Sequence, residues 1–152
     1  MTRVDFYHLQ NQPLELILPK LLEKAYETGK STLVKVGNDE RVEFLNGVLW
    51  TYSDNSFLPH GSKKDGNAEL QPIWLTSGDD NPNISSLLFL VDGAKVDSDT
   101  LMKFERVFNV FDGHSTEALE QARSFWKEVK SLGHECFYWQ QDNNGKWSCK
   151  NT

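Results

Sequence analysis

Five consecutive apolar residues, Leu87-Leu88-Phe89-Leu90-Val91, are closed by Asp92-Gly93. A strand with one face in water alternates apolar and polar side chains, so a short unbroken run reads as an inner strand covered on both faces. Two covered faces require helices on both sides of the sheet. Candidate helices do alternate with candidate strands along the chain, which predicts parallel pairing through crossover connections.

The opening is a β-α-β pattern. Val4 to Leu9 reads as a strand, and Leu14, Leu18, Leu21, Leu22 and Ala25 then recur at helical spacing. Gly29 is placed to end that helix, and Leu33 to Val36 reads as a second strand. Asn38 or Asp39 can cap a second helix running to Trp50, with Glu40 and Glu43 suited to its positive end. A loop follows from Tyr52 to Gly61. Residues 61–71 and 77–85 are rich in Gly, Asn, Asp, Ser and Lys, and read as solvated connections around a short strand at Ile73 to Leu75.

After the apolar run come a short helix at Ser98 to Met102 and a strand at Arg106 to Phe111. Ser115 or Thr116 caps a long helix that ends at Gly133. Glu135 to Gln140 is a further strand, and Asn143-Asn144-Gly145 before Trp147 suggests a terminal hairpin. The expected fold is a single three-layer α/β domain over residues 1–152, with a mostly parallel open sheet, helices on both faces and a short antiparallel edge.

The chain carries 16 basic and 22 acidic residues, a net charge of −6, so a general attraction to a phosphate backbone is not expected. A local basic patch on such a surface would instead be a specific place to receive an anionic partner. Two cysteines, Cys136 and Cys149, form no close pair and no disulfide framework, and read as packed reduced thiols beside a surface His134. No secretory leader pattern follows Met1, and no run approaches about 18 apolar residues; the chain reads as cytosolic and soluble, with no membrane partner.

Gly29-Lys30-Ser31-Thr32 matches the end of a phosphate-binding loop. That loop needs a Gly five positions before its Gly-Lys pair, where Lys24 stands here, and it must open a helix rather than close one. His134, Cys136 and Cys149 offer zinc-type donors without a fourth ligand, so no metal and no cofactor are expected. Four histidines give no catalytic motif of the G-x-S-x-G or H-E-x-x-H kind, and no catalytic residue is assigned. The competing enzymatic reading is a nucleotide-binding or hydrolytic protein using the mouth of the sheet.

The long C-terminal helix separates two faces. Ala118, Ala122, Phe125, Val129 and Leu132 make the apolar one. Arg123, Lys127 and Lys130 make a cationic stripe beside it, with Trp126 and Leu119 at the seam. Cations next to an aromatic wall suit a short acidic peptide with an apolar end.

At this helix the stretch Ala122-Arg123, Trp126-Lys127, Lys130 and Gly133 resembles the chi subunit of bacterial DNA polymerase III. Phe6-Tyr7, Gly29-Lys30, Trp50 and Ser56-Phe57-Leu58-Pro59-His60 resemble the same family in order along the chain, whereas residues 61–85 and the last ten positions match poorly. The resemblance implies a non-catalytic accessory subunit of the clamp-loader assembly within a DNA-directed DNA polymerase. It implies that Arg123, Trp126, Lys127 and Lys130, with Val110 from a nearby strand, receive the acidic C-terminal tail of single-stranded-DNA-binding protein. Arg123 would be the main carboxylate anchor. It further implies a face for the psi subunit at Trp50, Phe57, Leu58 and Pro59.

Overall fold

The structure, a computed structural model, describes residues 2–10, 12–52 and 58–150. Seven strands form one sheet: β1 (Arg3–Leu9), β2 (Thr32–Lys35), β3 (Ile73–Thr76), β4 (Leu87–Leu90), β5 (Arg106–Asp112), β6 (Glu135–Gln141) and β7 (Trp147–Cys149). Their spatial order is β3-β2-β4-β5-β1-β6-β7. Every pairing is parallel except β6 with β7, so the sheet is mostly parallel with a short antiparallel edge.

Four helices cover it: α1 (Leu14–Glu27), α2 (Asp39–Thr51), α3 (Ser98–Leu101) and α4 (Thr116–Ser131). One core lies between the sheet and α1 with α2, built from Ile17, Leu18, Leu22 and Leu45 against Val34, Leu75 and Phe89. The other lies under α3 and α4, where Phe6, Leu88, Leu90 and Val107 meet Leu101, Ala122 and Val129. The apolar run from Leu87 is wholly buried because its alternate residues feed opposite cores, Phe89 the first and Leu88 the second.

The local signals act as expected at the helix ends. Asn38 Oδ1 accepts from the Arg41 amide at 2.9 Å to start α2, and Ser115 Oγ accepts from the Ala118 amide at 3.1 Å to start α4. Gly29 and Gly133, at φ of 77° and 86°, follow α1 and α4 in the left-handed conformation that a side chain would oppose.

Two expectations need correction. The polar segment before the apolar run is not merely solvated: Asn83 is buried and its Nδ2 donates to Gln71 O at 2.8 Å and Thr32 O at 3.3 Å, tying the loop to β2. His134 is buried rather than on the surface, its Nδ1 accepting from the Thr2 amide at 3.1 Å, and Cys149 is exposed rather than packed. Cys149 pairs with Trp139, one face away from Cys136, which lies under α4.

Candidate functional site

Helix α4 runs over β5 and β6 and buries Ala122 and Val129. Helical periodicity sends its two flanks in different directions. One flank looks over β6, where alternation along the strand brings Cys136 and Tyr138 to the α4 side. Arg123, Lys127 and Lys130 are all exposed on that side, and among the described residues none has an ion-pair partner within 4.0 Å.

Trp126 is half-buried at the seam. Its ring meets Phe6 edge-on at 5.1 Å and Tyr138 at 6.2 Å between centroids, while Lys130 Nζ lies 5.3 Å from its centre. The indole is thereby held as a wall with part of its surface open. Tyr138 is also half-buried, and its hydroxyl is hydrogen-bonded to His8 Nδ1. Burial pushes the Tyr138 phenol up, while the nearby Arg123 charge pulls it the other way, which puts the guanidinium within electrostatic reach of that ring. Burial likewise raises the Cys136 thiol against the opposing effect of Lys130.

Arg123, Trp126, Lys127 and Lys130 are thus brought together. Val110 is not on this face: it is 3% exposed and packs in the α1 and α2 core, opposite Tyr7 of β1. The reason is the two-residue period of β5, which sends Val107 and Phe111 under α4 but Phe108 and Val110 to the other side. Tyr138 occupies the floor position instead. The Glu135 to Gln140 strand signal was present in the sequence, but its apolar residues on both faces hid which ones α4 would meet.

The second implied face is only partly assembled. Trp50 is 49% exposed at the end of α2, with its ring 4.6 Å from that of His60, and Pro59 is half-buried beside it. Leu58 is 2% exposed and belongs to the α1 and α2 core, so it anchors the loop rather than displaying itself. Phe57 lies outside the described residues.

An open cleft of about 1080 Å³ lies at the mouth of the sheet, on the other flank of α4. Its cations are Arg41, already held by Asp92 at 2.8 Å and Glu15 at 3.1 Å, together with Lys95. Glu15, Asp92, Asp112, Glu117 and Glu128 line the same walls, so nucleotide phosphates would meet a predominantly negative surface. Among the described residues no group of three or more His, Cys, Asp or Glu side chains is placed to hold a metal ion, and no helix is long and apolar enough to cross a membrane.

Comparison with known proteins identifies the family. The family described as "DNA polymerase III chi subunit, HolC" matches residues 1–136. A protein of Rickettsia prowazekii named "Probable DNA polymerase III subunit chi" is 32% identical over 158 aligned positions, covering 97% of this chain and 92% of that protein. The "DNA polymerase III subunit chi" of Pseudomonas aeruginosa is 30% identical over 92 positions, covering 58% of this chain and 63% of its own length. With the family match running across most of a sheet and helix set that together build the α4 site, the chain belongs to the DNA polymerase III chi subunit family.

Proposed function

We propose that this protein is a non-catalytic accessory subunit that tethers a DNA polymerase III assembly, through its clamp loader, to protein-coated single-stranded DNA in the cytoplasm. Its ligand is the acidic C-terminal tail of single-stranded-DNA-binding protein. The observation that carries the reading is the α4 flank: three exposed cations without an ion-pair partner among the described residues, beside a half-open tryptophan. Arg123 grips a tail carboxylate with its planar fork, Lys127 and Lys130 follow other acidic residues as mobile point charges, and Trp126 with Tyr138 walls the terminal apolar side chain.

The charge arrangement favours this partner over nucleic acid. The whole chain is acidic, at −6, so a short anionic peptide can seat on the stripe alone, whereas a long phosphate backbone would also cross repulsive surface. A psi subunit docks separately at Trp50 and Pro59, next to Leu58, which is buried in the core.

Calorimetric titration with a synthetic tail peptide tests the assignment. Arg123→Ala is expected to weaken binding by about 1.5–3 kcal/mol, the scale of a hydrogen bond to a charged group, with the circular dichroism unchanged. Added salt should weaken the wild-type complex further. Equal affinity for wild type and variant would remove the basis of the reading. A melting shift with nucleotide and none with the peptide would favour the sheet mouth instead.

A further inference from the structure

A second cleft, of about 280 Å³, opens on the opposite face of the sheet between the last turns of α1 and the starts of β4 and β5. Its lining includes Arg3, Lys24, Lys30 and Arg106, and Tyr7 and Phe108 supply aromatic surface. Tyr7 lines this cleft, and its ring is mostly buried while its hydroxyl makes no hydrogen bond to a described residue.

The guanidiniums around it are fixed in place. Asp5, fully buried, accepts from Arg3 at 3.1 Å and from Arg106 at 2.7 Å, and the two guanidiniums lie over Phe137 and Phe108 at 4.1 and 4.6 Å. One carboxylate leaves most of the N–H groups of two forks unused, and Arg3 Nε is buried with no partner at all. Lys30 is taken by Glu105 at 2.9 Å, but Lys24 has no ion-pair partner among the described residues. Two arginines and two lysines thus face two carboxylates, an excess of positive charge in an acidic protein.

We infer that this cleft binds a phosphoryl oxyanion, as inorganic phosphate or a small phosphomonoester, through Tyr7, Arg3, Arg106 and Lys24. The donors come from β1, β5 and α1, so they approach from several directions. A planar carboxylate offers two oxygens to such a cage, whereas a phosphoryl group offers three and a charge approaching −2. The volume, about 280 Å³, falls just below the usual range for ligand sites, which limits the ligand to a small one. Burial and the Asp5 charge push the Tyr7 phenol up to about 12 against the pull of both arginines, so it remains a donor across the physiological range. At the end of α1 the Thr28 and Gly29 amides donate to Ala25 O and Tyr26 O at 3.1 and 3.0 Å, which satisfies two of the last carbonyls, and Lys24 in the last turn offsets the negative end of the helix dipole.

The test is an NMR titration of the full chain with inorganic phosphate, phenyl phosphate and acetate at constant ionic strength. Saturable shifts at Tyr7, Arg106 and Lys24 with phosphate are expected, with about tenfold weaker binding for Tyr7→Phe, matching one lost hydrogen bond to a charged group. Arg106→Gln should weaken it more, and Tyr7→Phe keeps the test sound if that variant unfolds. Tighter phenyl phosphate binding would identify a phosphomonoester, and weaker binding the free anion. No saturation with phosphate, acetate binding as tightly, or affinity lost in Arg123→Ala but kept in Tyr7→Phe would each overturn the inference.

Discussion

Asp5→Asn isolates one interaction that holds the sheet together on the α1 face. The carboxylate is 0% exposed at the middle of β1 and accepts from Arg3 at 3.1 Å, Arg106 at 2.7 Å and the Trp139 indole N–H at 3.0 Å, linking β1 to both of its neighbours. Asparagine keeps the volume, so no cavity arises. It loses the charge and presents one oxygen to three donors, with an amide left facing cations. Removing one partner of a buried pair costs about 3–5 kcal/mol. Here the Arg3 and Arg106 side chains remain 37% and 34% exposed and can recover water, which lowers the expected cost to about 2–4 kcal/mol. For a domain of this size that lowers Tm by about 6–12 °C. Urea unfolding followed by tryptophan fluorescence measures the difference, with Arg106→Gln and the double variant completing a cycle whose coupling should reach about 1 kcal/mol. A stability within about 0.5 kcal/mol of wild type would refute the reasoning, since that is the range of an ordinary surface substitution.

Two further outcomes follow from the surroundings of the α4 site. Burial, reinforced by the nearby His114 and opposed by Asp112, holds His8 below the usual histidine value; the unfolded chain then binds its proton first, so stability is full above about pH 6.5 and falls as pH drops through that value toward the folded one. His8→Asn should flatten the dependence of Tm on pH between 7.5 and 5.5, and an unchanged slope would remove His8 as its cause. Cys149 is exposed, whereas Cys136 is half-buried with its thiol raised by burial, so a thiol reagent should modify the native protein at Cys149 first and at Cys136 mainly after denaturation. Peptide mapping reads the order, and equal rates would contradict the burial of Cys136.

What could be read from the residues follows from periodicity and from local capping. Leu87 to Val91 announces an inner strand because both of its faces are apolar, and α4 announces separate apolar and cationic faces because a 3.6-residue period is visible over four turns. Asn38, Ser115, Gly29 and Gly133 mark helix ends because each acts on backbone within a few residues. The fragments that resemble the family are likewise short linear stretches.

Tertiary structure decided whatever depended on a distant partner. In β5 both faces are apolar, so no alternation reveals which core Val110 enters; pairing with β1 and the positions of the helices send it away from α4 and bring Tyr138 there from β6. Leu58 lies in a loop and Asn83 in a segment whose composition favours solvent, yet packing in the core draws in the first and a hydrogen bond to β2 the second. Asp5 reads as one charge in a short strand, and only the strand order β5-β1-β6 sets Arg106 on one side of it and Trp139 on the other. Periodicity shows which face of an element is apolar; which partner that face meets is settled when non-local contacts form together, at an entropy cost that no single segment can offset alone.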